Sequence, residues 1–212
     1  MSEPLTHPQG PRERLLRCWE AVHASPEDPE LQYDLAEALL ATGDLIVAEA
    51  SYSRAIELGT KRVAEAWTQS AGLAAARKDL DASEERLRKA LEARQDFAPA
   101  WANLGFVHLQ RGQVQEAVGA LTRAAELAPS PDLLTRLAMA CLAAGDLDGC
   151  ERAGNRAVEL APDFAPAWDT LAVAAYRRGD AAKAHELQER ARSLGFSPNA
   201  ELGRALAARR KN

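Results

Sequence analysis

The hexapeptide DFAPAW at Asp96–Trp101 recurs without change at Asp163–Trp168, 67 residues further along the chain. Identical stretches at a fixed distance indicate an internal repeat, and a repeat determines the fold class before other features do. Each copy carries a central proline, which the first turn of a helix accepts and the interior of a helix does not. The hexapeptide therefore predicts a corner at which a helix begins, with the tryptophan as its first buried residue. It indicates architecture and no chemistry.

Aligning the chain on its tryptophans shows a period of 33 to 35 residues. The anchor column of this alignment consists of Gln32, Trp67, Trp101, Leu134 and Trp168. A second column, in the same phase, consists of Ala21, Ala55, Ala90, Ala124, Ala157 and Ala191. A period of this length is typical of units that each contain one pair of helices.

Within one period the pattern is helical. Trp101, Leu104, Gly105 and His108 fall at i, i+3, i+4 and i+7, which places them on one face of a helix. A second apolar series follows Gly112 and stops at a proline, where a helix cannot continue. In the turns at Thr42–Asp44, Ala144–Asp146 and Arg178–Asp180, the glycine is suited to end the first helix and the following aspartate to cap the second. Each period thus predicts a helix, a tight turn and a second helix.

The spacing of these positions resembles the tetratricopeptide repeat. The residues that carry the resemblance are Trp101, Leu104, Gly105, Ala117, Leu121, Ala124 and Pro129. The resemblance implies an all-α, right-handed α-solenoid of helix-turn-helix repeats. The expected organisation is a disordered tail at 1–11, a degenerate half-repeat helix at 12–28, five repeats within 29–198, and a capping helix at 199–212. The five repeats are expected at 29–62, 64–97, 98–131, 132–164 and 165–198.

The second repeat departs most from this pattern. Ser70 stands where leucine is expected, Lys78 where glycine turns the chain, and Gln95 where proline is usual. In the fourth repeat, Gly154 replaces a large residue of the second helix. We therefore expect the second repeat to be the softest part of the array.

Composition limits the classes of function. Apolar residues make up 47% of the chain but aromatic ones only 5%, which favours many small contacts between helices. The net charge of −5 argues against binding to nucleic acid, which needs clustered lysine and arginine. No apolar run approaches the roughly 18 residues of a membrane span, and the beginning of the chain lacks an apolar signal segment. Three sparse cysteines fit a reducing compartment, so the expected location is the cytoplasm.

The sequence offers no constellation that would support catalysis. The four histidines do not show the spacing of metal ligands, and the glycines do not form a phosphate-binding loop. His108 occupies a core column, and Cys141 and Cys150 occupy inward columns as small buried residues. The prediction is a protein that is not an enzyme and that uses no cofactor and no metal.

The resemblance also implies a binding groove, lined by the first helix of each repeat. At 100° per residue, the positions one, five and eight residues after each anchor face away from the core. In the last three repeats the second and third of these columns are apolar. They form what we call the apolar strip: Phe106, Leu109, Met139, Leu142, Val173 and Tyr176. Tyr33 lies in the first column of the first repeat, and Asn103 and Arg136 lie beside the strip; these residues complete the predicted groove.

The predicted function is a scaffold that binds an apolar peptide or an amphipathic helix in this groove. Relatives that hold the acidic tails of chaperones use lysine and asparagine on these inner columns, and those places hold Thr68, Ala102, Thr135, Gly72, Phe106 and Met139 here. A chaperone-tail partner is therefore not expected. Two alternatives remain open: a structural protein in which the strip is buried in a homo-oligomer, and a non-catalytic repeat subunit of a larger enzyme such as a glycosyltransferase or sulfotransferase.

Overall fold

A computed structural model describes residues 10–197 and 200–209, and all regular secondary structure in those ranges is α-helical. The predicted class, an all-α protein of helix-turn-helix repeats, is confirmed. Twelve helices follow one another among the described residues: α1 (Pro11–Ala24), α2 (Pro29–Thr42), α3 (Leu45–Glu57), α4 (Val63–Ala76), α5 (Leu80–Ala93), α6 (Ala98–Gln110), α7 (Val114–Leu127), α8 (Pro131–Ala144), α9 (Leu147–Leu160), α10 (Ala165–Arg177), α11 (Ala181–Ser193) and α12 (Ala200–Arg209).

Helix boundaries follow from the capping residues. The side chain of Asp28 accepts hydrogen bonds from the backbone N–H groups of Glu30 and Leu31 and so caps α2. Asp79, Asp146 and Asp180 cap α5, α9 and α11 in the same way. The hexapeptide does form a corner, since α6 begins at Ala98 and α10 at Ala165. At the second copy, the indole Nε1 of Trp168 donates to the carbonyl of Pro162 across that corner (2.9 Å).

The turn inside each repeat uses a left-handed residue. The four glycines that occupy this place have φ angles of 90°, 73°, 80° and 94°: Gly43, Gly112, Gly145 and Gly179. In the second repeat the same place is taken by Lys78, whose φ is 65°. A side chain with a Cβ is disfavoured there by crowding against the following carbonyl. The second repeat therefore makes the same turn as its neighbours in spite of its residue.

The helices divide into two compact units, with the boundary between Ala100 and Trp101. In the first unit, α2 packs on α3 and α4 on α5, and α1 packs on α2. In the second, α8 packs on α9 and α10 on α11, while α8 also lies beside α10. Within each unit, second helices also contact the first helix of the following repeat, as α3 contacts α4 and α9 contacts α10.

Alanine makes this close packing possible. The alanine column found in the sequence is fully buried from its second member to its last, whereas Ala21 on α1 is half-buried. The first unit has a core around Leu35, Leu39 and Tyr52, and the second has one around Leu121 and Leu134. Small residues at the contact let neighbouring helices approach closely, so many short contacts replace a few large side chains.

The predicted ends lie partly outside the described residues. Of the tail predicted at 1–11, residues 1–9 are not described, and α1 begins at Pro11. At the other end, α12 begins at Ala200, inside the segment predicted as a capping helix. Its Leu202 and Leu206 are buried in a cluster with Ala172 and Ala175 of α10 and Ala184 of α11.

Glu49 ties together three helices of the first unit. Its carboxylate on α3 accepts from Nη2 of Arg77, at the end of α4 (2.9 Å), and from Nη1 of Arg86, on α5 (2.5 Å). The same Nη1 of Arg86 donates to the carbonyl of Ser70 on α4 (2.9 Å). The hydrogen bond from Arg77 is the largest cause that lowers the pKa of Glu49, against the opposing effect of partial burial, and Arg86 lowers this pKa further.

Candidate partner-binding surface

The apolar strip lies within the second unit, on the first helices α6, α8 and α10. Its two most exposed members are Phe106 on α6 and Met139 on α8, with 42% and 56% of their surface accessible. Each sits five residues after its anchor, on the side of the helix that faces away from the second helices. An aromatic ring and a thioether at these places provide an apolar contact surface that adapts to a partner.

The other four members of the strip are half-buried. Leu109 packs against the cluster that contains Leu134 and Ala140, and Leu142 against the cluster of Ala138 and Ala174. Val173 and Tyr176 pack against the cluster that α12 completes. These side chains are anchored in the core and also reach the surface. Val173 stands five residues after its anchor, as Phe106 and Met139 do, yet it is half-buried because it packs against this cluster.

The expectation that the side chain of Tyr33 lines an open groove in the first unit is wrong. Only 6% of its surface is accessible. Its ring makes an edge-on contact with Tyr52, with centroids 5.5 Å apart, and the guanidinium of Arg62 lies 4.0 Å above it. Arg62 is held in place by Glu30 (2.7 Å) and by Asp34 (2.9 Å). The side chain of Tyr33 thus belongs to the core, covered by the arginine that immediately precedes α4.

Polar groups beside the strip are already engaged or open to solvent. Thr135 is buried and donates to the carbonyl of Pro131 within its own helix (2.7 Å). Arg136 is exposed and pairs with Asp132 one turn earlier (2.8 Å). Asn103 is exposed on α6. The middle of the surface is therefore apolar, and its polar groups lie at the margin.

Histidine and cysteine take structural places. His108 is 9% exposed, and its Nδ1 lies 2.8 Å from Oε1 of Gln113 in the following turn. Cys141 and Cys150 are buried free thiols, and burial raises the pKa of the Cys150 thiol to about 12. Within the described ranges, acidic, histidine and cysteine side chains form no group of three or more that would hold a metal ion. In the same ranges, every helix is too short or too polar to cross a membrane.

Sequence reasoning missed a second set of exposed apolar residues, on second helices. Leu16 and Trp19 on α1 are 60% and 46% exposed, and Ile46 at the start of α3 is 82% exposed. Leu160, at the end of α9, is 52% exposed. The positions of Leu16 and Trp19 are occupied in the fourth repeat by Arg152 and Asn155 and in the fifth by two glutamates. This contrast between columns was available in the sequence.

Two family models described as tetratricopeptide repeat match the chain. One matches residues 98–131, and the other matches residues 16–63 and 33–99. No curated protein matches the chain.

Solved structures resemble most of the chain. YrrB, described as a TPR protein with an unusual peptide-binding site, is 24% identical with a TM-score of 0.74, and the match covers 91% of this chain and 97% of YrrB. PilF of Pseudomonas aeruginosa is 18% identical with a TM-score of 0.72, covering 86% and 84% of the two chains. MamA from Desulfovibrio magneticus RS-1 is 21% identical with a TM-score of 0.71, covering 79% and 94%. At these identities the likeness concerns the fold.

Proposed function

The chain belongs to the tetratricopeptide repeat family of protein-interaction scaffolds, and we propose that its second unit holds a partner through the apolar strip. The occupant is an amphipathic helix or a largely apolar peptide that lies across α6, α8 and α10. The observation that carries the proposal is the exposure of Phe106 and Met139, at equivalent places on two first helices. A monomer seldom leaves a large contiguous apolar patch uncovered without a binding role, and these two residues would be the exposed centre of such a patch.

The chemistry of the surface supports an apolar occupant. The strip contains no charged side chain, and its four half-buried members are fixed by their packing in the core. A surface that is already formed binds with a small ordering cost on its own side. Lysine and asparagine are absent from the second and third columns of these repeats, which argues against the tail of a chaperone as the occupant.

The test replaces both exposed residues. The Phe106→Glu, Met139→Glu double variant places two carboxylates in the proposed contact and should lose the partner that the wild type retains from a native extract. Helical content and melting temperature should stay close to those of the wild type, since both side chains are exposed. The matched control is Leu160→Glu, which adds a carboxylate at another exposed apolar residue of the same unit.

Binding that survives in the double variant would refute the proposal. Loss of binding in both the double variant and the Leu160→Glu control would also refute it, since the added charge would then act without regard to place. Sedimentation at several concentrations separates the alternative of a homo-oligomer: a mass that rises with concentration and falls in the double variant would assign the strip to self-association.

A further inference from the structure

A cleft of about 350 Å³ opens between α7 and α9, with α8 as its floor. Its floor and inner walls are apolar, formed mainly by Val118, Leu137, Cys141 and Ala153. This volume is at the lower end of the range for small-molecule sites, about 300–1,000 Å³. We call this opening between α7 and α9 the α7–α9 cleft. The described residues that line it all belong to the second unit.

The α7–α9 cleft is separate from the apolar strip. On α8 it uses Leu134, Leu137 and Cys141, whereas the strip uses Met139 and Leu142. At 100° per residue the two sets point in directions roughly 140° apart around the helix axis. An occupant of one surface therefore leaves the other accessible.

The repeat pattern explains why the cleft is open. In the first unit, the corresponding space between α3 and α5 is closed by the contact of Glu49 with Arg86, which also reaches the carbonyl of Ser70. In the repeat alignment, the residues at these three places in the second unit are Val118, Ala153 and Leu137. Two charged side chains are thus replaced by a valine and an alanine. The exchange leaves an apolar recess of the size of a bulky side chain.

Two arginines stand at the edge of this recess. Arg152 and Arg156 lie one turn apart on α9, both line the cleft and both are exposed. Within the described part of the chain, neither makes a hydrogen bond or an ion pair. The two acidic residues that precede them on α9, Asp148 and Glu151, are both bound by Arg178 instead. Two like charges at i and i+4 repel each other, so an anion between them would relieve an unfavourable contact.

The carboxylates of the cleft are already occupied. Glu126 pairs with Arg123 on its own helix (3.1 Å). Asp146 accepts a hydrogen bond from the backbone N–H of Gly149 (2.8 Å) as the cap of α9. The guanidinium groups of Arg152 and Arg156 are therefore the charged groups of the cleft lining that are left without a partner among the described residues, and such donors suit a carboxylate.

We propose that the α7–α9 cleft is a second docking site, which receives a protein partner through a bulky apolar side chain next to an acidic residue. The apolar side chain fills the recess above Leu137 and Cys141, and the neighbouring carboxylate accepts hydrogen bonds from Arg152 and Arg156. Apolar floor and cationic edge together select this combination. A neutral apolar segment would leave the arginines unpaired, and an acidic segment without a bulky residue would leave the recess empty.

The experiment titrates isotope-labelled full-length protein with three capped dipeptides and follows the backbone amides of Gly149 and Ala153 by NMR. The probe is N-acetyl-Phe-Asp-amide. N-acetyl-Phe-Asn-amide removes the charge and keeps the shape, and N-acetyl-Ala-Asp-amide removes the ring. We expect the first to shift these amides at millimolar concentration and each of the others to bind at least about tenfold more weakly, because a charge-assisted contact or a buried ring is lost.

Two variants of the protein locate the site. The Arg152→Gln, Arg156→Gln double variant should lower the affinity for the Phe-Asp probe by about tenfold or more. It should then bind the Asp and Asn peptides equally. Val118→Glu with Ala153→Arg transplants the closing pair of the first unit and should abolish binding, with folding checked by circular dichroism. If the transplant does not fold, the arginine variant alone decides the question.

Equal affinity for the Asp and Asn peptides in the wild type would overturn the proposal, and so would the absence of any shift at Gly149 and Ala153. The Phe106→Glu, Met139→Glu variant should bind the probe as the wild type does. If that variant loses the probe, the peptide binds at the apolar strip, which overturns the cleft site and leaves the function proposed above standing.

Discussion

Two three-helix segments of the molecule occupy equivalent places in the repeat, but different side chains line the space between their helices. In the first unit, α3, α4 and α5 enclose the carboxylate of Glu49 and the guanidinium of Arg86, with 17% and 24% of these side chains accessible. In the second unit, α7, α8 and α9 leave the corresponding space open, with Val118 and Ala153 on its walls. The comparison shows that the repeat determines where helices lie, while two side chains decide whether the space between them is closed.

The difference is one of chemistry at fixed positions. In the first unit the space is closed by hydrogen bonds, which require each charged group to keep its partners. In the second unit the same backbone carries small apolar residues, which need no partner and leave a recess. A closed space contributes to the stability of its unit, whereas an open one is accessible to another molecule.

The largest loss of stability in either segment should come from Glu49→Ala, which removes the closing carboxylate of the first unit. The change leaves the partly buried guanidinium of Arg86 with one acceptor, the carbonyl of Ser70, and should lower the free energy of unfolding of the first unit by about 2 kcal/mol. Hydrogen exchange of the amides of α3 and α5 at neutral pH measures the loss. The matched control is Glu85→Ala, whose exposed carboxylate pairs with Lys89 on the same helix and whose loss should leave exchange unchanged.

Acid should remove the same contribution. The pKa of Glu49 in the folded protein is lowered, so its stabilisation is present above the pKa of an unfolded glutamate and is lost as pH falls through the folded value. The difference in stability between the wild type and Glu49→Gln should therefore shrink below about pH 4, where unfolded glutamate becomes protonated. A difference that stays constant in acid would show that this ion pair does not close the segment.

A smaller effect is expected when the closing pair is moved to the second unit. Ala153→Arg alone places a further unpaired cation on the wall of the α7–α9 cleft, beside Arg152 and Arg156, and should cost about 1–2 kcal/mol. Adding Val118→Glu supplies the partner and should recover most of that loss, because a partly buried ion pair is close to neutral against apolar residues. Urea unfolding of the two single variants and the double variant measures a coupling free energy, expected at about 1–2 kcal/mol. Additive effects would mean that the two segments do not share the geometry described here.

Much of the fold was predictable because the repeat depends on columns that a single sequence displays. The buried alanines, the corner at Asp163–Trp168 and the turn glycines all follow from helical spacing and backbone geometry. The prediction for Tyr33 was wrong about exposure, since the residue that covers it, Arg62, lies far along the chain, just before α4. The arginine's position depends on Glu30 and Asp34, a tertiary arrangement that periodicity does not contain.

The two candidate surfaces differ in the same respect. Phe106 and Met139 were predictable, because an exposed column on a first helix requires only helix periodicity. The cleft was not predicted, because it depends on the absence of a contact between residues of two different repeats. The sequence did contain the difference that opens the cleft, since Val118 takes the place of Glu49 in one column and Ala153 that of Arg86 in another. Predicting a cleft from it requires knowing that these two columns face each other in the structure.

The smallest change in stability is expected at the turn that follows the middle helix of each segment. This turn is made by Lys78 after α4 and by Gly145 after α8. Both are left-handed, with φ angles of 65° and 80°. Lys78→Gly removes the Cβ that crowds the following carbonyl and should stabilise the first unit by about 0.5–1 kcal/mol, the strain relieved being partly offset by a more flexible unfolded chain. Lys78→Ala, the control, also removes the long side chain but keeps the Cβ, so it should give no gain. The urea midpoints of the Lys78→Gly and Lys78→Ala variants measure the difference. Equal midpoints would show that the backbone at Lys78 is not strained and that this turn does not distinguish the two segments.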